Sequence, residues 1–225
     1  MPLRPLAILQ DEIISCEVCP RLVEYRQHVA LEKKRAYRDC EYWGKPVPSF
    51  GDPQAQVLVI GLAPAAHGAN RTGRMFTGDR SGDYLFQALH ETGFASQLHS
   101  QSRDDGLVLR NLYISAAVRC APPGNKPSPL EFRNCRGYLE REIALLPRLR
   151  VVVALGRIAF DAYLGILGVR RSSFVFAHNR LHGMGAGKPV LISSYHPSQQ
   201  NTSTGLLTHE MLRDVFELTR NAALP

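Results

Sequence analysis

Five cysteines are the residues of this chain best suited to metal chemistry. Cys16 and Cys19 form a Cys-x-x-Cys pair, and Cys120 and Cys135 follow much later with 14 residues between them. Four thiolates can bind a tetrahedral zinc ion or a [4Fe-4S] cluster. The later pair also fits ordinary buried core cysteines, which are common, and Cys40 is expected to be a free thiol. The residues alone leave zinc, an iron–sulfur cluster and a plain core as alternatives.

The loop that spans residues 61–79 is a second candidate for chemistry. Its 19 residues show neither helical nor strand periodicity, and loops of this length inside compact domains usually have a function. Small residues at its start, such as Ala63, allow a ligand to approach the backbone closely, although the spacing matches no Walker or dinucleotide motif. Asp79 is a candidate acid–base carboxylate. Its position shortly before Ser81, the expected helix cap, would equally suit a helix start.

Two further loops contain polar residues with suitable chemistry. Asn125, in the loop 119–127, offers both an acceptor and donors, as reading a base edge requires; an Asn beside Gly is also a common turn former. His196, in the loop 194–202, could donate a hydrogen bond to a developing oxyanion, or merely cap its own loop. Both residues are therefore candidates that need the fold to bring them together.

The elements that would position these loops are four strand-like runs, apolar on both faces, that alternate with helical segments. This pattern predicts an α/β fold with a four-stranded parallel sheet flanked by helices. Ligands bind at the carboxyl ends of such strands, which is where the three loops begin. The predicted strands are Gln56–Gly61, Asn111–Val118, Arg150–Leu155 and Pro189–Ser194.

Four helices are predicted in the α/β body. The second begins at a capping box, in which Ser128 is the cap, Pro129 the first helical residue and Glu131 the reciprocal partner. The other three cover about 81–92, 158–166 and about 207–221. Residues 1–55 differ, since two short helical stretches flank Cys16 and Cys19. We interpret residues 1–55 as a helical arm packed on an α/β body of residues 56–225, so that residues 1–225 form a single domain.

Composition restricts the class of protein. The chain has 27 Lys and Arg against 20 Asp and Glu, a net charge of +7 at pH 7, and 44% apolar residues, which excludes a disordered or fibrous chain. Because 22 of the 27 basic residues are Arg, an acidic polymer is a reasonable partner; thermostability or genome composition would explain the same bias. No apolar run approaches the length of a membrane span, and the first ten residues lack the apolar centre of a secretory signal. We expect a cytoplasmic protein.

Taken together, the loops resemble the family 5, or B-type, uracil-DNA glycosylases. The resemblance extends from about Cys16 to Arg213 and agrees in order and spacing. It implies a four-stranded parallel sheet between helices and a structural [4Fe-4S] cluster on Cys16, Cys19, Cys120 and Cys135. The segments that carry it are CxxCPRL from Cys16, GLAPAAHG at 61–68, NRTGR at 70–74, FTGD at 76–79, AVRCAPP at 117–123, ALGR at 154–157, YHPS at 195–198 and NT at 201–202.

The resemblance also implies a reaction and roles for individual residues. The reaction is hydrolysis of the N-glycosidic bond of a damaged base flipped out of double-stranded DNA, which leaves an abasic site. Phe76 would stack on the base, while Leu62 and Ala63 would line its pocket. His196 would donate to the departing base. Asp79 would orient or deprotonate the attacking water, with Asn125 assisting nearby.

Two positions separate this chain from the family 4, or A-type, enzymes, which have Glu in place of Leu62 and Asn in place of Ala116. A pocket without that Asn loses a discriminator of the uracil edge, which predicts activity on hypoxanthine and xanthine as well. Lys126 is the only lysine in the three loops. A Schiff-base nucleophile is therefore disfavoured, and a monofunctional enzyme is expected. A DNA-scanning enzyme of this size is also expected to be a monomer. The segment 198–204 would press into the minor groove.

Three alternatives stay open on the sequence. A uracil-restricted family 4 enzyme would share most of the motifs. A non-catalytic, metal-stabilised DNA-binding protein would keep the basic surface and the four cysteines. An iron–sulfur electron carrier is disfavoured because such carriers concentrate their ligands in compact cysteine runs.

Overall fold

A mixed six-stranded sheet with helices on both faces forms the centre of the molecule, and the computed structural model describes residues 3–224. The strand order is β1-β3-β2-β4-β6-β5, and the inner four strands are parallel. The predicted four-stranded parallel sheet is therefore confirmed as the centre of a larger one. The strands are β1 (Phe50–Gly51), β2 (Val57–Gly61), β3 (Leu112–Ala116), β4 (Val151–Leu155), β5 (Arg180–His182) and β6 (Val190–Ser194).

The prediction of only four strands was wrong at the two edges. Strand β1 pairs antiparallel with β3, and β5 pairs antiparallel with β6. Each edge strand has only two or three residues and is partly exposed, so neither produces the apolar run that marks a buried strand. Because β1 lies within residues 1–55, the segment interpreted as a helical arm also contributes to the sheet.

Eight helices are assigned within residues 3–224. They are α1 (Leu3–Ile14), α2 (Pro20–Glu32), α3 (Ala69–Thr72), α4 (Arg80–Glu91), α5 (Pro129–Leu145), α6 (Arg157–Ile166), α7 (Gln199–Ser203) and α8 (His209–Ala223), with single 3-10 turns at Arg35–Tyr37, Pro123–Asn125 and Arg171–Ser173. None of the described helices is long and apolar enough to cross a membrane.

The four parallel strands place their carboxyl ends side by side. Gly61 of β2 is paired with Ala116 of β3, and Leu155 of β4 is paired with Ser194 of β6. All residues of β2, β3 and β4 are buried, as expected for parallel strands that are covered by helices on both faces. The loops after β2, β3 and β6 consequently emerge side by side at the carboxyl ends of the parallel strands.

Each face of the sheet has its own apolar core. Helices α4 and α8 cover one face, where Phe86 and Phe216 are fully buried among strand residues. Helices α1, α5 and α6 cover the other face, where Leu139, Phe160 and Tyr163 are buried. The sheet is thus held on both sides, which fixes the positions of the loops at its edge.

Several helix boundaries differ from the sequence interpretation. Helix α4 begins at Arg80 with Asp79 as its N-cap, so Ser81 is not the cap. The capping box at Ser128 is confirmed. The loop 61–79 contains the short helix α3, which ends where Gly73 adopts a left-handed conformation. The segment 198–204, predicted as a loop, contains α7, whose first turn is capped by the Ser198 hydroxyl.

A buried polar network ties the first helix to the body. The Glu142 carboxylate, fully buried in α5, is ion-paired with Arg119. The same carboxylate accepts hydrogen bonds from Gln10 Nε2 at 3.0 Å and from Ser115 Oγ at 2.7 Å. Arg119 also bonds the Ser49 hydroxyl. Helix α1, strand β3 and helix α5 therefore meet at one satisfied carboxylate.

Candidate active site

A small cavity of about 40 Å³ lies at the carboxyl ends of the parallel strands, where the loops after β2 and β6 meet the last residue of β3. It brings together five of the predicted site residues, which are Ala63, Phe76, Asp79, Ala116 and His196. Its lining consists of Gly61, Ala63, Pro64, Ala65, Ala69, Met75, Phe76, Asp79, Ser81, Ala116 and His196. The cavity is walled mostly by small and apolar groups, with one carboxylate and one imidazole.

Asp79 both caps helix α4 and faces this cavity. Its Oδ1 accepts a hydrogen bond from the Gly82 amide at 3.0 Å. Its Oδ2 lies so close to the Gly68 Cα that a Cβ at position 68 would overlap it. Burial raises the pKa of Asp79, an effect that the amides of Gly82 and Ser81 and the Arg71 charge oppose and that Asp83 reinforces. The capping interpretation and the acid–base interpretation are therefore compatible.

Phe76 closes one side of the cavity. Its φ of 52° is in the left-handed region, which a bulky residue adopts only when its surroundings hold it there. The ring lies against Gly61, where a Cβ would come within 2.8 Å of Phe76 Cζ. The ring centroid is 5.9 Å from that of His196. Phe76 thus presents an aromatic face beside the imidazole.

His196 lies between the small cavity and a neighbouring cleft of about 310 Å³, because it lines both. The Asn201 side-chain amide donates to the His196 carbonyl oxygen at 2.9 Å, which fixes the start of the loop. Gly156 leaves room for the histidine, since a Cβ there would lie 3.2 Å from His196 Cβ. Burial lowers the pKa of His196 to about 4. At neutral pH the ring is therefore uncharged.

The remaining predicted site residues occupy different places. Ala63 and Ala116 line the small cavity, whereas Leu62 lines the neighbouring cleft with Tyr195 and His196. Asn125 is exposed at the end of a 3-10 turn, with a φ of 56°, and lines neither cavity. The structure therefore assembles Asp79 and His196 but leaves Asn125 outside this assembly.

The four cysteines of the expected cluster lie near one another behind the cavity. Cys120 and Cys135 are buried with Leu22 and Val118 in a small apolar core, against which Cys19 and Ala63 pack. Cys16 and Cys19 are half-buried, and both add to the electrostatic environment of Cys120 and Cys135. Asn134 Nδ2 donates to Cys19 Sγ at 3.3 Å. Ala63 touches this core and also lines the cavity, so the two sites adjoin.

Burial favours the neutral form of the two inner thiols, Cys120 and Cys135. Burial raises the pKa of Cys120 to about 12 and that of Cys135 to about 11. Within residues 3–224, no group of three or more His, Cys, Asp or Glu side chains is arranged to hold a single metal ion. The predicted metal ligands are thus neighbours in space, and their occupancy stays a prediction.

Several residues that shape the site lie within the motifs quoted in the sequence analysis but were given no role there. Gly68 gives the Asp79 carboxylate its space, and Gly156 does the same for His196. Arg71 bonds the carbonyl oxygens of His67 and Gly78 at 2.9 and 2.8 Å, which closes the loop before Asp79. The glycines in a long loop were a usable signal, because Gly tolerates close approach. The role of Arg71 depends on contacts that no sequence pattern encodes.

Comparison with known proteins gives one family. Residues 48–220 match the model of the uracil DNA glycosylase superfamily. The chain is 51% identical over 213 residues to the type-5 uracil-DNA glycosylase of Thermus thermophilus, covering 94% of this chain and 96% of that protein. It is 47% identical to the type-5 enzyme of Mycobacterium leprae, with 96% and 94% covered. A type-4 uracil-DNA glycosylase of Archaeoglobus fulgidus is 27% identical, with 76% of each chain covered.

Proposed function

The chain belongs to the uracil-DNA glycosylase superfamily, in its type-5 branch, and on that premise we propose that it excises uracil from DNA by hydrolysing the N-glycosidic bond. The observation that carries this proposal is the cavity that Asp79, Phe76 and His196 share. This hydrolysis can use a carboxylate to act on the water, an aromatic face to stack on the base and a neutral hydrogen-bond donor to stabilise the departing base.

The reaction follows from these groups. The bond between the base nitrogen and the sugar carbon breaks, its electron pair stays on the base, and the sugar becomes oxocarbenium-like. The neutral His196 N–H stabilises the negative charge that develops on the base. Asp79 accepts a proton from the water that bonds to the sugar carbon, and its negative charge stabilises the cationic sugar. The departed base takes up a proton and the Asp79 carboxyl releases one to the solvent, so the products are a neutral free base and an abasic site.

The target base has to leave the helix to reach this cavity, because the scissile bond lies inside a duplex. The cavity of about 40 Å³ adjoins the cleft of about 310 Å³ through His196. We place the flipped base against Phe76 at this junction, with Leu62 on the side of the cleft. The helix α7, which contains most of the segment 198–204, faces the DNA groove in this arrangement, and a monomer suffices for it.

The substrate range follows from what position 116 lacks. Ala116 is buried and lines the cavity with a methyl group only, so it offers no amide to the base edge. A site that reads an edge by buried hydrogen bonds rejects the wrong base strongly, and a site without them does not. We therefore propose that the enzyme also releases hypoxanthine and xanthine from double-stranded DNA, and that Ala116→Asn narrows this range towards uracil.

We propose that the four neighbouring cysteines hold a structural [4Fe-4S] cluster. Cys16, Cys19, Cys120 and Cys135 would hold it, and bound iron would stabilise as thiolates the groups that burial keeps neutral. The cluster would supply structural cohesion between the N-terminal arm and the body. Anaerobically purified protein is expected to be brown, with iron and sulfide bound; a colourless protein with stoichiometric zinc would contradict this assignment.

Incubation with end-labelled duplexes tests the proposed function. Each duplex contains one uracil, hypoxanthine, xanthine or thymine, and alkali then cleaves any abasic site. We expect alkali-dependent cleavage at uracil and at least one deaminated purine, and none with Asp79→Asn protein. Cleavage at uracil alone favours the family 4 behaviour. Absence of cleavage at every base by intact protein favours a DNA-binding protein without catalysis.

Asn125 is exposed and lines neither the small cavity nor the neighbouring cleft. We therefore give it at most an assisting role in the reaction. A DNA-dependent movement of the turn Pro123–Asn125 would bring it to the base. Asn125→Ala tests its contribution under saturating enzyme, where a rate equal to wild type would remove it from the catalytic set.

A further inference from the structure

We infer that Arg71 is the positioning residue of the Asp79 carboxylate and that Tyr37 of the N-terminal arm holds Arg71 in place. This inference rests on the proposed function, because it assumes that Asp79 assists the attack of water. Arg71 lies in α3, eight residues before Asp79, and lines neither the small cavity nor the neighbouring cleft. It therefore acts through the loop that leads to Asp79.

Arg71 bridges the backbone just before α3 and the end of the loop that leads into α4. Its Nε donates to the carbonyl oxygen of His67 at 2.9 Å, and its Nη2 donates to that of Gly78 at 2.8 Å. Gly78 immediately precedes Asp79, and Gly68, which leaves room for the carboxylate, immediately follows His67. The Arg71 guanidinium thus fixes the distance between the backbone next to Asp79 and the backbone next to Gly68, against which the Asp79 carboxylate lies. A planar fork with several donors suits this double contact, and a lysine ammonium does not.

The conformation at Gly78 depends on the same contact. Gly78 has a φ of 75°, and a Cβ at this position would overlap Arg71 Nη2. The backbone therefore approaches the guanidinium as closely as a residue without a side chain permits. Thr72 supplements the closure, because its hydroxyl donates within the same loop to the carbonyl oxygens of Gly68 at 3.2 Å and Thr77 at 3.1 Å.

The N-terminal arm holds Arg71 from the outside. The guanidinium carbon lies 4.1 Å from the ring centroid of Tyr37, a cation–π contact. The Trp43 amide donates to the Arg71 carbonyl oxygen at 2.9 Å, and the Gly44 amide to that of Asn70 at 3.0 Å. The arm that carries Cys16 and Cys19 is thereby connected to the loop that carries the catalytic carboxylate.

The positive charge of Arg71 also acts on Asp79. Arg71 favours the ionised carboxylate, while burial and the charge of Asp83 oppose it. The other titratable group at the cavity, His196, is neutral above about pH 4 because burial lowers its pKa to that value. Among the groups around Asp79, Arg71 is therefore the cation whose removal alters the protonation of the carboxylate.

Single-turnover excision of uracil from duplex DNA, with saturating enzyme and from pH 4 to 9, tests this inference. In Arg71→Gln we expect the plateau rate to fall about 10-fold to 100-fold because the carboxylate is displaced. We also expect the acid limb to move to higher pH, because a nearby positive charge is lost. Arg71→Lys keeps the charge without the double contact, so its plateau rate should fall while its acid limb stays in place.

Arg110→Gln is the matched control, because Arg110 is exposed before β3, at the opposite edge of the sheet, and its loss changes the net charge equally. An Arg71→Gln profile that coincides with wild type overturns the inference. Should Arg71→Gln fail to fold, Arg71→Lys and Tyr37→Leu decide, and wild-type plateau rates in both overturn it. If Asp79→Asn excises uracil at the wild-type rate, the role proposed for Asp79 fails whatever Arg71 does. If folded wild-type protein releases no uracil, the proposed function itself fails.

Discussion

Two carboxylates in this molecule have contrasting surroundings, which suit a structural role for Glu142 and the proposed reactive role for Asp79. Glu142 is fully buried, and Gln10, Ser115 and Arg119 all contact its oxygens. Within residues 3–224, Asp79 is bonded only by backbone amides at the start of α4, those of Gly82 and Ser81, and it lines a cavity. The first carboxylate holds three elements together. The second has no side-chain partner in the described part of the chain and borders the cavity.

The difference explains why only one of the two is suited to proton transfer. A charge that several donors surround is stable where it lies and is expensive to alter. A buried carboxylate with few partners resists ionisation, so its pKa rises, and burial is the main cause for Asp79. Perturbed groups of this kind concentrate at functional sites. The variants described below test each side of the comparison.

Glu142→Gln should produce the largest change, and the change should be in stability. The substitution leaves the buried Arg119 without its counter-charge, which costs about 3–5 kcal/mol when one partner of a buried ion pair is removed. Urea unfolding at neutral pH measures this loss. Excision per folded molecule should stay close to wild type. A loss of less than about 1 kcal/mol, the range of exposed pairs, would show that the network is not structural in this sense.

His196→Ala should lower the single-turnover rate of uracil excision by about 10²–10³-fold, the effect of removing one donor to a developing oxyanion. DNA affinity should change little, since His196 is proposed to act mainly as the bond breaks. His90→Ala is the control, because His90 is exposed in the last turn of α4. Equal rates for the two alanine variants would remove His196 from the mechanism.

The pH dependence of excision should report Asp79 and not His196. Asp79 has to be ionised to accept a proton, and its pKa is raised from the usual 3.8, so the rate should rise with pH along a limb above that value. His196 has a pKa of about 4, so no second limb should appear near pH 6.5. An inflection near 6.5 that disappears in His196→Ala would contradict the neutral imidazole.

Asp79→Asn should have the smallest effect on stability, and it should be a gain. Because the folded pKa of Asp79 lies above its unfolded value, its favourable contribution is present at low pH and is lost as pH rises through the folded pKa. Asparagine caps helices as well as aspartate. Thermal unfolding should therefore give a higher Tm than wild type at pH 7 and an equal Tm at pH 3; a lower Tm at pH 7 would oppose this account.

The sequence was informative where periodicity and cap chemistry determine structure. The four buried strands and the capping box at Ser128 follow from local pattern. The edge strands β1 and β5 were missed because two or three partly exposed residues produce no period. Helix α3 was missed because four residues inside a glycine-rich loop are too few to show one.

The candidate site was predictable as a set of residues but not as a geometry. Strand ends placed Asp79 and His196 at the same edge of the sheet, and the cavity joins them. The left-handed Phe76 and the Arg71 bridge depend on how the segment 61–79 folds on itself, which no periodicity in the sequence encodes. Asn125 shows the opposite case, since its loop was identified while its exposed position was not.

The most direct test compares the two amide variants in one assay. Asp79→Asn and Glu142→Gln, each adjusted to equal folded concentration, are reacted with a uracil-containing duplex under single-turnover conditions. The account predicts that Asp79→Asn is slower than wild type by about 10²–10⁴-fold, the range for a general base, while Glu142→Gln keeps the wild-type rate. Excision by Asp79→Asn at the wild-type rate would contradict the central claim that the partly satisfied carboxylate performs the chemistry.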